Sequence, residues 1–431
     1  MMFVDPIIGS GGIGYGAGGI NRAHSLGALI RVPCGTTVRL TAAISWISAE
    51  QAEATEAVQL PSNTSVSSAA AAARASWAAL MSGVEVIDAA DASTDELTKF
   101  HSAVYRTFLA PSTWSEPALD GSQHYLGMDD KHAASLSLEY AFDDASLAAV
   151  ASTLGRQAES ETFRQRSIQG VLAQWEPQRE LMCARSEASG ELMCPSEFAA
   201  HLPTPVETGY VEGDAWQWLW FVPHNASLLV SLFASPARFV EKLDEFMTRG
   251  REWRAGNVLS NPFYWAGNEP DLLAPWLYAF GGRSDRTANV TRYLVDHVYT
   301  AAADGIPGND DYGTMSAWLV WATVGLYPLA GSDTFVVGSP RFAHVRIRLG
   351  GESAGPWLDI VAHNASGRNL YVERATINGD VLEAPLLTFS QLVRPRNATL
   401  ELWMGADPAM AAWSEGGLLM MREAMASDGQ L

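Results

Sequence analysis

The run Tyr210-Val211-Glu212-Gly213-Asp214-Ala215-Trp216-Gln217-Trp218-Leu219-Trp220 sets one carboxyl, Glu212, among Tyr210, Trp216, Trp218 and Trp220. Aromatic walls desolvate a carboxyl, raise its pKa and keep it protonated near neutrality, which suits a general acid. Flat aromatic faces also stack on the apolar faces of sugar rings, an extension of their amphipathic character. A Trp-rich buried helix with a solvated carboxylate at its start is the simpler account of these residue types taken alone.

Two further runs are rich in oxygen. Gly308-Asn309-Asp310-Asp311-Tyr312-Gly313-Thr314 follows Pro307 and places adjacent carboxylates at the opening of a helix. Backbone N–H groups and the helix dipole favour ionised Asp there, and an ionised Asp beside water is a general base. An ordinary N-cap with a second acid explains the same residues. Gly267-Asn268-Glu269-Pro270-Asp271 offers hard oxygen ligands, fit for Ca²⁺ rather than zinc. Capping chemistry is again the plain alternative. No Cys/His spacing resembles a zinc site, and neither a G-x-S-x-G elbow nor a Walker loop occurs. An acid, a base and a cation candidate on successive loops form the inventory of a two-carboxylate glycoside hydrolase. The rival is a catalytically inactive carbohydrate-binding or scaffold protein with acidic caps.

The elements that must carry these loops follow from patterning. Residues 1–21 are Gly-rich, and 36–48 alternate like a strand. Residues 66–82 are Ala-rich and helical by propensity. Ser93-Thr94-Asp95-Glu96 is a cap signature ahead of Phe100, Val104, Phe108 and Leu109, and Pro111 stops that helix. Further helices are expected over 136–154, 158–174, 214–232, 235–253, 271–281, 285–299 and 312–326. After Pro328 the period becomes two, with short strands around Phe335, Val345, Leu358, Tyr371 and Leu400. Strands, then helices, then strands predict an α+β fold.

Composition narrows the classes. The chain has 431 residues, a formal charge of −20 and 48% hydrophobic residues, which excludes disorder as the dominant state. That charge would repel a phosphate backbone, so no nucleic-acid partner is expected. No apolar stretch reaches the ~20 residues of a membrane span. The three cysteines, Cys34, Cys183 and Cys194, allow at most one intrachain pair. Five of the twelve Asn stand in Asn-x-Ser/Thr sequons (Asn63, Asn225, Asn289, Asn364 and Asn397), as in a glycosylated secretory protein. The start, Met1-Met2-Phe3-Val4-Asp5-Pro6, lacks the basic and apolar regions of a signal peptide and points the other way, to the cytosol.

The ordered motifs resemble glycoside hydrolase family 92, the calcium-dependent exo-acting α-mannosidases. The resemblance is carried by Val4-Asp5-Pro6-Ile7-Ile8-Gly9, Phe100-His101-Ser102-Ala103-Val104-Tyr105-Arg106-Thr107 and Glu212-Gly213-Asp214-Ala215-Trp216-Gln217. Phe221-Val222-Pro223-His224, Gly267-Asn268-Glu269-Pro270, the run from Gly308 to Trp318, Gly325-Leu326-Tyr327-Pro328 and Val337-Gly338-Ser339-Pro340 extend it in the family's order. It implies an N-terminal β-sandwich, an (α/α)6 helical toroid and C-terminal β-strands. Residues 1–60 would be a sandwich remnant, 61–115 linker helices, 116–330 the catalytic barrel, 331–410 the C-terminal strands and 411–431 a tail. It implies Glu212 as general acid and Asp311, with Asp310 beside it, as base of an inverting mechanism. Trp216, Gln217, His224 and Asn309 would bind substrate, and Asn268 and Glu269 would lie at a Ca²⁺ site. The implied substrates are terminal α-mannosides of N-glycans or mannans.

The departures are specific. After Ile20 a long stretch of the family's sandwich is skipped, and after His132 several barrel helices are skipped. Asp214 stands where the family more usually has Asn. An incomplete toroid is therefore expected, with apolar helix faces left uncovered and the calcium site weakened.

Overall fold

The computed structural model describes residues 35, 52–54, 56–57, 60, 64–109, 133–185, 191–194, 209–252, 262–350, 355–393 and 397–414, and all statements of structure concern these. The Gly-rich start, the strand expected at 36–48, the skipped junctions after Ile20 and His132, Asn63 and the tail beyond Ser414 lie outside them.

The fold is α+β. It opens with α1 (Val66–Met81), β1 (Val84–Asp88) and α2 (Thr94–Thr107). The cap read from sequence is a complete capping box: the Ser93 hydroxyl accepts from Glu96 N, and the Glu96 carboxylate accepts from Ser93 N. Phe100, Ala103 and Val104 point inward, whereas Phe108 and Leu109 beyond the last turn are exposed.

Next come α3 (Ala133–Thr153) and α4 (Gln157–Gln174), a long antiparallel pair, then the small hairpins β2 (Trp175–Glu176) with β3 (Leu181–Met182), and β4 (Ala184–Arg185) with β5 (Leu192–Met193). Cys183 and Cys194 form a disulfide beside the second hairpin. The helix expected over 214–232 is two helices, α5 (Ala215–Trp218) and α6 (Ala226–Ser231), because Pro223 offers no N–H between them. The α7 helix (Pro236–Glu252) matches its expectation. The helix expected over 271–281 shrinks to α8 (Ala274–Leu277), preceded by a 3₁₀ turn at Glu269–Asp271. The α9 helix (Ser284–Tyr293) widens into a π-turn at Leu294–Val298, where Lys99 Nζ takes the carbonyls of Val295 and Tyr299. The α10 helix (Thr314–Val324) ends at Gly325, with φ +78°.

The strands follow: β6 (Leu326–Pro328), β7 (Thr334–Val337), β8 (His344–Arg348), β9 (Trp357–His363), β10 (Tyr371–Ile377), β11 (Asp380–Val381) and β12 (Leu386–Thr388). The short α11 helix (Phe389–Val393) and β13 (Ala398–Gly405) complete the order. Six of the strands form one sheet ordered β1-β8-β9-β13-β10-β11, and β12-β7-β6 form a second. β13 lies parallel to β9, and the other pairs are antiparallel. The region 61–115 is therefore not helical throughout: its β1 edges the C-terminal sheet, with Val84 opposite Ile347. Alternation puts Ala398, Leu400, Leu402 and Met404 on the inner face, where they meet Phe100, Val104 and Phe342. A second core, built on α3, α5, α7, α8 and α10, lies under the loops that carry the acidic residues.

One helix face stands open. Tyr140, Leu147 and Val150 recur along α3, with Leu154 just past its end, at a spacing that keeps them on one side, and all four are exposed. Two substitutions separate the open face from the core. Leu400→Ala, at a fully buried position, is expected to cost about 2–5 kcal/mol in urea unfolding. Leu154→Ser should stay within about 0.5 kcal/mol of the parent.

Candidate active site

Three loops converge. The first, residues 209–214, is tied at every step. The Gly209 carbonyl accepts from Ala134 N and Ser135 N at the start of α3, and Val211 N donates to Ser135 Oγ at 3.0 Å. The buried Tyr210 hydroxyl donates to the Met182 carbonyl at 2.6 Å, and Trp218 Nε1 donates to the Val211 carbonyl at 2.8 Å. The Asp214 carboxylate caps α5 by accepting from Trp216 N and Gln217 N. Between these anchors Glu212 sits in the left-handed region, with φ +48°, a conformation costing on the order of 1–3 kcal/mol that persists only where the surroundings impose it.

The second loop reaches the first through Asn268, whose buried amide donates to the Glu212 carbonyl at 2.7 Å. Three residues on, the fully buried Asp271 carboxylate accepts from Trp265 N at 2.8 Å and Gln217 Nε2 at 3.1 Å. Burial pushes the Asp271 carboxyl well above its usual range. The third loop meets the second backbone to backbone. A Cβ on Gly267 would lie 2.6 Å from the Pro307 carbonyl oxygen and 2.8 Å from Gly308 Cα, and a Cβ on Gly308 would collide with the Gly267 carbonyl. Only glycine fits at either position. Trp318 Nε1 ties α10 to the Leu272 carbonyl at 2.9 Å, and its ring stacks on Tyr299 with centroids 5.6 Å apart.

The third loop then turns through three consecutive left-handed residues, Asp311, Tyr312 and Gly313, before α10 begins. A Cβ on Gly313 would stand 2.5 Å from the Arg106 carbonyl of α2. The Asp310 carboxylate accepts from Ser316 N at 3.0 Å, the capping role expected of an acid in this run. Its pKa nevertheless moves upward, because burial outweighs the Ser316 hydrogen bonds and the Arg106 charge, and Asp311 adds like-charge repulsion. The net shift at Asp310 therefore runs opposite to the lowering that a helix start alone would give.

Asp311 and Glu212 both act on Glu269. Burial, the Asp311 charge and a hydrogen bond with Asp311, and to a smaller extent the Glu212 charge push the Glu269 carboxyl up to about 7. Glu212, Glu269 and Asp311 are thus one electrostatic cluster, assembled from loops far apart in sequence. In the same loop Asn309 Oδ1 is buried and has no hydrogen-bond partner among the described residues. That orphan acceptor fits a sugar hydroxyl or a hard cation.

Several expectations for individual side chains fail. Glu212 is exposed, and the tryptophans do not wall its carboxyl. Trp220 packs on Phe239 and Phe246, Trp218 is committed to Val211, and Lys242 Nζ covers a face of Trp216 at 3.8 Å from the ring centroid. Trp216 therefore does not offer that face to a sugar. Gln217 is fully buried and spends its amide on Asp271, so it is a scaffold residue rather than a sugar ligand. His224 packs beside Phe142 with both ring nitrogens buried, and burial lowers its pKa to about 4, so it is neutral at physiological pH. Arg106 and Asp271 carry functional weight that residue types did not reveal. The signals were Arg106's place in the quoted motif of α2 and Asp271's place at the end of the oxygen-rich run.

The raised Glu269 pKa has a consequence for stability. Between the usual glutamate value and about 7 the folded state binds the extra proton, so stability falls as pH rises through that window. In chelator-treated buffer, Glu269→Gln should melt above the parent at pH 8, with the gap shrinking as pH falls toward 5. A gap independent of pH in scanning calorimetry would contradict the cluster.

Comparison with known proteins agrees with this architecture. The glycosyl hydrolase family 92 catalytic-domain model matches residues 51–135 and 131–406. An uncharacterized secreted glycosidase of Arthroderma benhamiae is 29% identical over 205 residues, which are 48% of this chain and 24% of that protein. The family GH92 α-mannosidase BT3965 of Bacteroides thetaiotaomicron, solved with mannoimidazole, superposes with a TM-score of 0.71 at 18% identity, over 87% of this chain and 64% of its own. The inverting GH92 mannosidase BT2199 of the same organism gives a TM-score of 0.66 at 19% identity, over 86% and 68%. The chain spans about a quarter of the Arthroderma protein and less than two thirds of BT3965. With the family model covering most of its length, the chain belongs to glycosyl hydrolase family 92.

Proposed function

We propose that the three loops form the site of an inverting exo-α-mannosidase acting on terminal mannose of N-glycans or mannans. The observation that carries this reading is the gathering of Glu212, Glu269 and Asp311 into one charge cluster. Glu212, exposed on a kink fixed from both sides, acts as general acid and protonates the leaving oxygen. Asp311 takes a proton from a water on the opposite face of the sugar, with Asp310 beside it as its support. A separation of ~6.5–9.5 Å between acid and base would leave room for that water. Asn309 Oδ1 is the acceptor for a mannose hydroxyl.

The crowding of acidic groups also fits a divalent cation. Asn268 and Glu269 would hold calcium, which when bound would polarise mannose hydroxyls and fix the ring. Among the described residues no group of three or more His, Cys, Asp and Glu is placed to hold a metal ion. Water and sugar hydroxyls would have to complete the ~6–8 ligands, so the binding is weak. Without the cation, Glu269, with its pKa pushed up to about 7, can carry a proton near neutrality, which favours it as acid in a second reading. The rival from a different class is a catalytically inactive carbohydrate-binding or scaffold protein derived from the same family.

Leaving groups decide among these readings. In calcium-containing buffer, Glu212→Gln should lower kcat on an α-mannobiose by about 10²–10⁴-fold and recover most of it on a dinitrophenyl α-mannoside, which needs no proton. Asp311→Asn should lower kcat on both substrates. The recovery pattern appearing in Glu269→Gln instead would move the acid there. Mannose binding without turnover in the parent would establish the inactive rival.

A further inference from the structure

The sequons remain outside the hydrolytic site, and the structure sorts them. Asn225 is half-buried, and its side chain caps α6 by accepting from Leu228 N at 2.9 Å, next to the buried ring nitrogens of His224. A glycan there would have to replace packed neighbours. Asn397 is exposed, but its amide oxygen is held by Trp357 N at the start of β9. Asn289 and Asn364 are different. Asn289 is exposed on α9 between the buried Ala288 and Val290. Asn364 is exposed in the turn after β9 with φ +63°, a tight-turn conformation that Asn tolerates.

These two positions belong to one region. Arg292, three residues after Asn289, donates to the carbonyl of Ser366, the third residue of the Asn364 sequon. Gly367 N in the same turn is held by the Asp91 carboxylate. The turn is thus anchored from two sides while Asn364 itself faces solvent.

We propose that Asn364 and Asn289 are N-glycan attachment sites and that Asn225 is not. In the transfer, Asn364 Nδ2 forms a bond to the anomeric carbon of a lipid-linked oligosaccharyl pyrophosphate. The bond from that carbon to the pyrophosphate oxygen breaks, the lipid pyrophosphate leaves with the electron pair, and the amide loses one proton. The third-position hydroxyl residues of the two sequons are Ser366 and Thr291. A second, independent observation points to the same compartment. The Cys183–Cys194 disulfide joins a fully buried sulfur to a half-buried one packed on the main core, a state that persists in the oxidising secretory lumen. None of this rests on the hydrolytic reading, and its test does not depend on activity.

The full chain is to be expressed behind a secretory leader in a eukaryotic host, recovered from the medium and treated with peptide N-glycosidase in heavy-oxygen water. That treatment marks each glycan-bearing Asn for peptide mass spectrometry. The Asn364 and Asn289 peptides should be marked and the Asn225 peptide unmarked. Asn364→Gln and Ser366→Ala should each remove one glycan from the intact mass. An unmarked peptide at Asn364 or Asn289 in the secreted parent overturns the assignment of that residue, and a marked Asn225 overturns the sorting by burial. Mapping of the parent alone decides the question if a variant fails to be secreted.

Discussion

The site depends on one contact, the approach of the Gly267 and Gly308 backbones to a distance that admits no side chain. Every other feature of the site presupposes it. With the two loops held apart by a methyl group, Glu269 would no longer lie within hydrogen-bond reach of Asp311. Asn268 could not at the same time reach the Glu212 carbonyl. Around this contact the fold supplies rigid backing: the Tyr299–Trp318 stack, the Trp318 bond to Leu272 and the buried Asp271 carboxylate held by Trp265 and Gln217. These groups are polar handles on an apolar core, and each ties one segment of the site to another.

The electrostatic outcome follows from that geometry. Carboxylates brought together in a partly buried site cannot all ionise at ordinary cost, so one retains its proton to higher pH. Here it is Glu269. A site of this kind is unstable as built unless something neutralises it, and either a proton or a dication does so. Strained left-handed residues, Glu212, Asp311 and Tyr312, are tolerated here because the surrounding anchors over-determine them.

Local signals were legible in the sequence and long-range ones were not. The Ser93–Glu96 capping box and the alternation of β13 are written within a few residues, and both formed where the pattern placed them. The strand at Val84–Asp88 escaped because five residues at a sheet edge carry little pattern, and their partner lies more than 250 residues away. The helix over 214–232 was overdrawn because apolar spacing concealed the break at Pro223. Among site residues, the positions of Glu212, Asn268, Glu269, Asn309, Asp310 and Asp311 were readable from motif order, whereas the environments of their side chains were not. The tryptophans near Glu212 in sequence turn to the core, and the desolvation expected of Glu212 falls on Glu269 through a partner 42 positions on. Burial and like-charge contact are tertiary properties, and residue types alone do not fix them.

A glycine-to-glycine contact places Glu269 against Asp311. Carbon-13 NMR of the Glu269 carboxyl, followed against pH in chelator-treated parent and Gly308→Ala proteins, tests it most directly. The account predicts a midpoint at about 7 in the parent and a return toward the usual glutamate value in the variant. An ordinary midpoint in the parent, or an unchanged one in a folded Gly308→Ala protein, would contradict it.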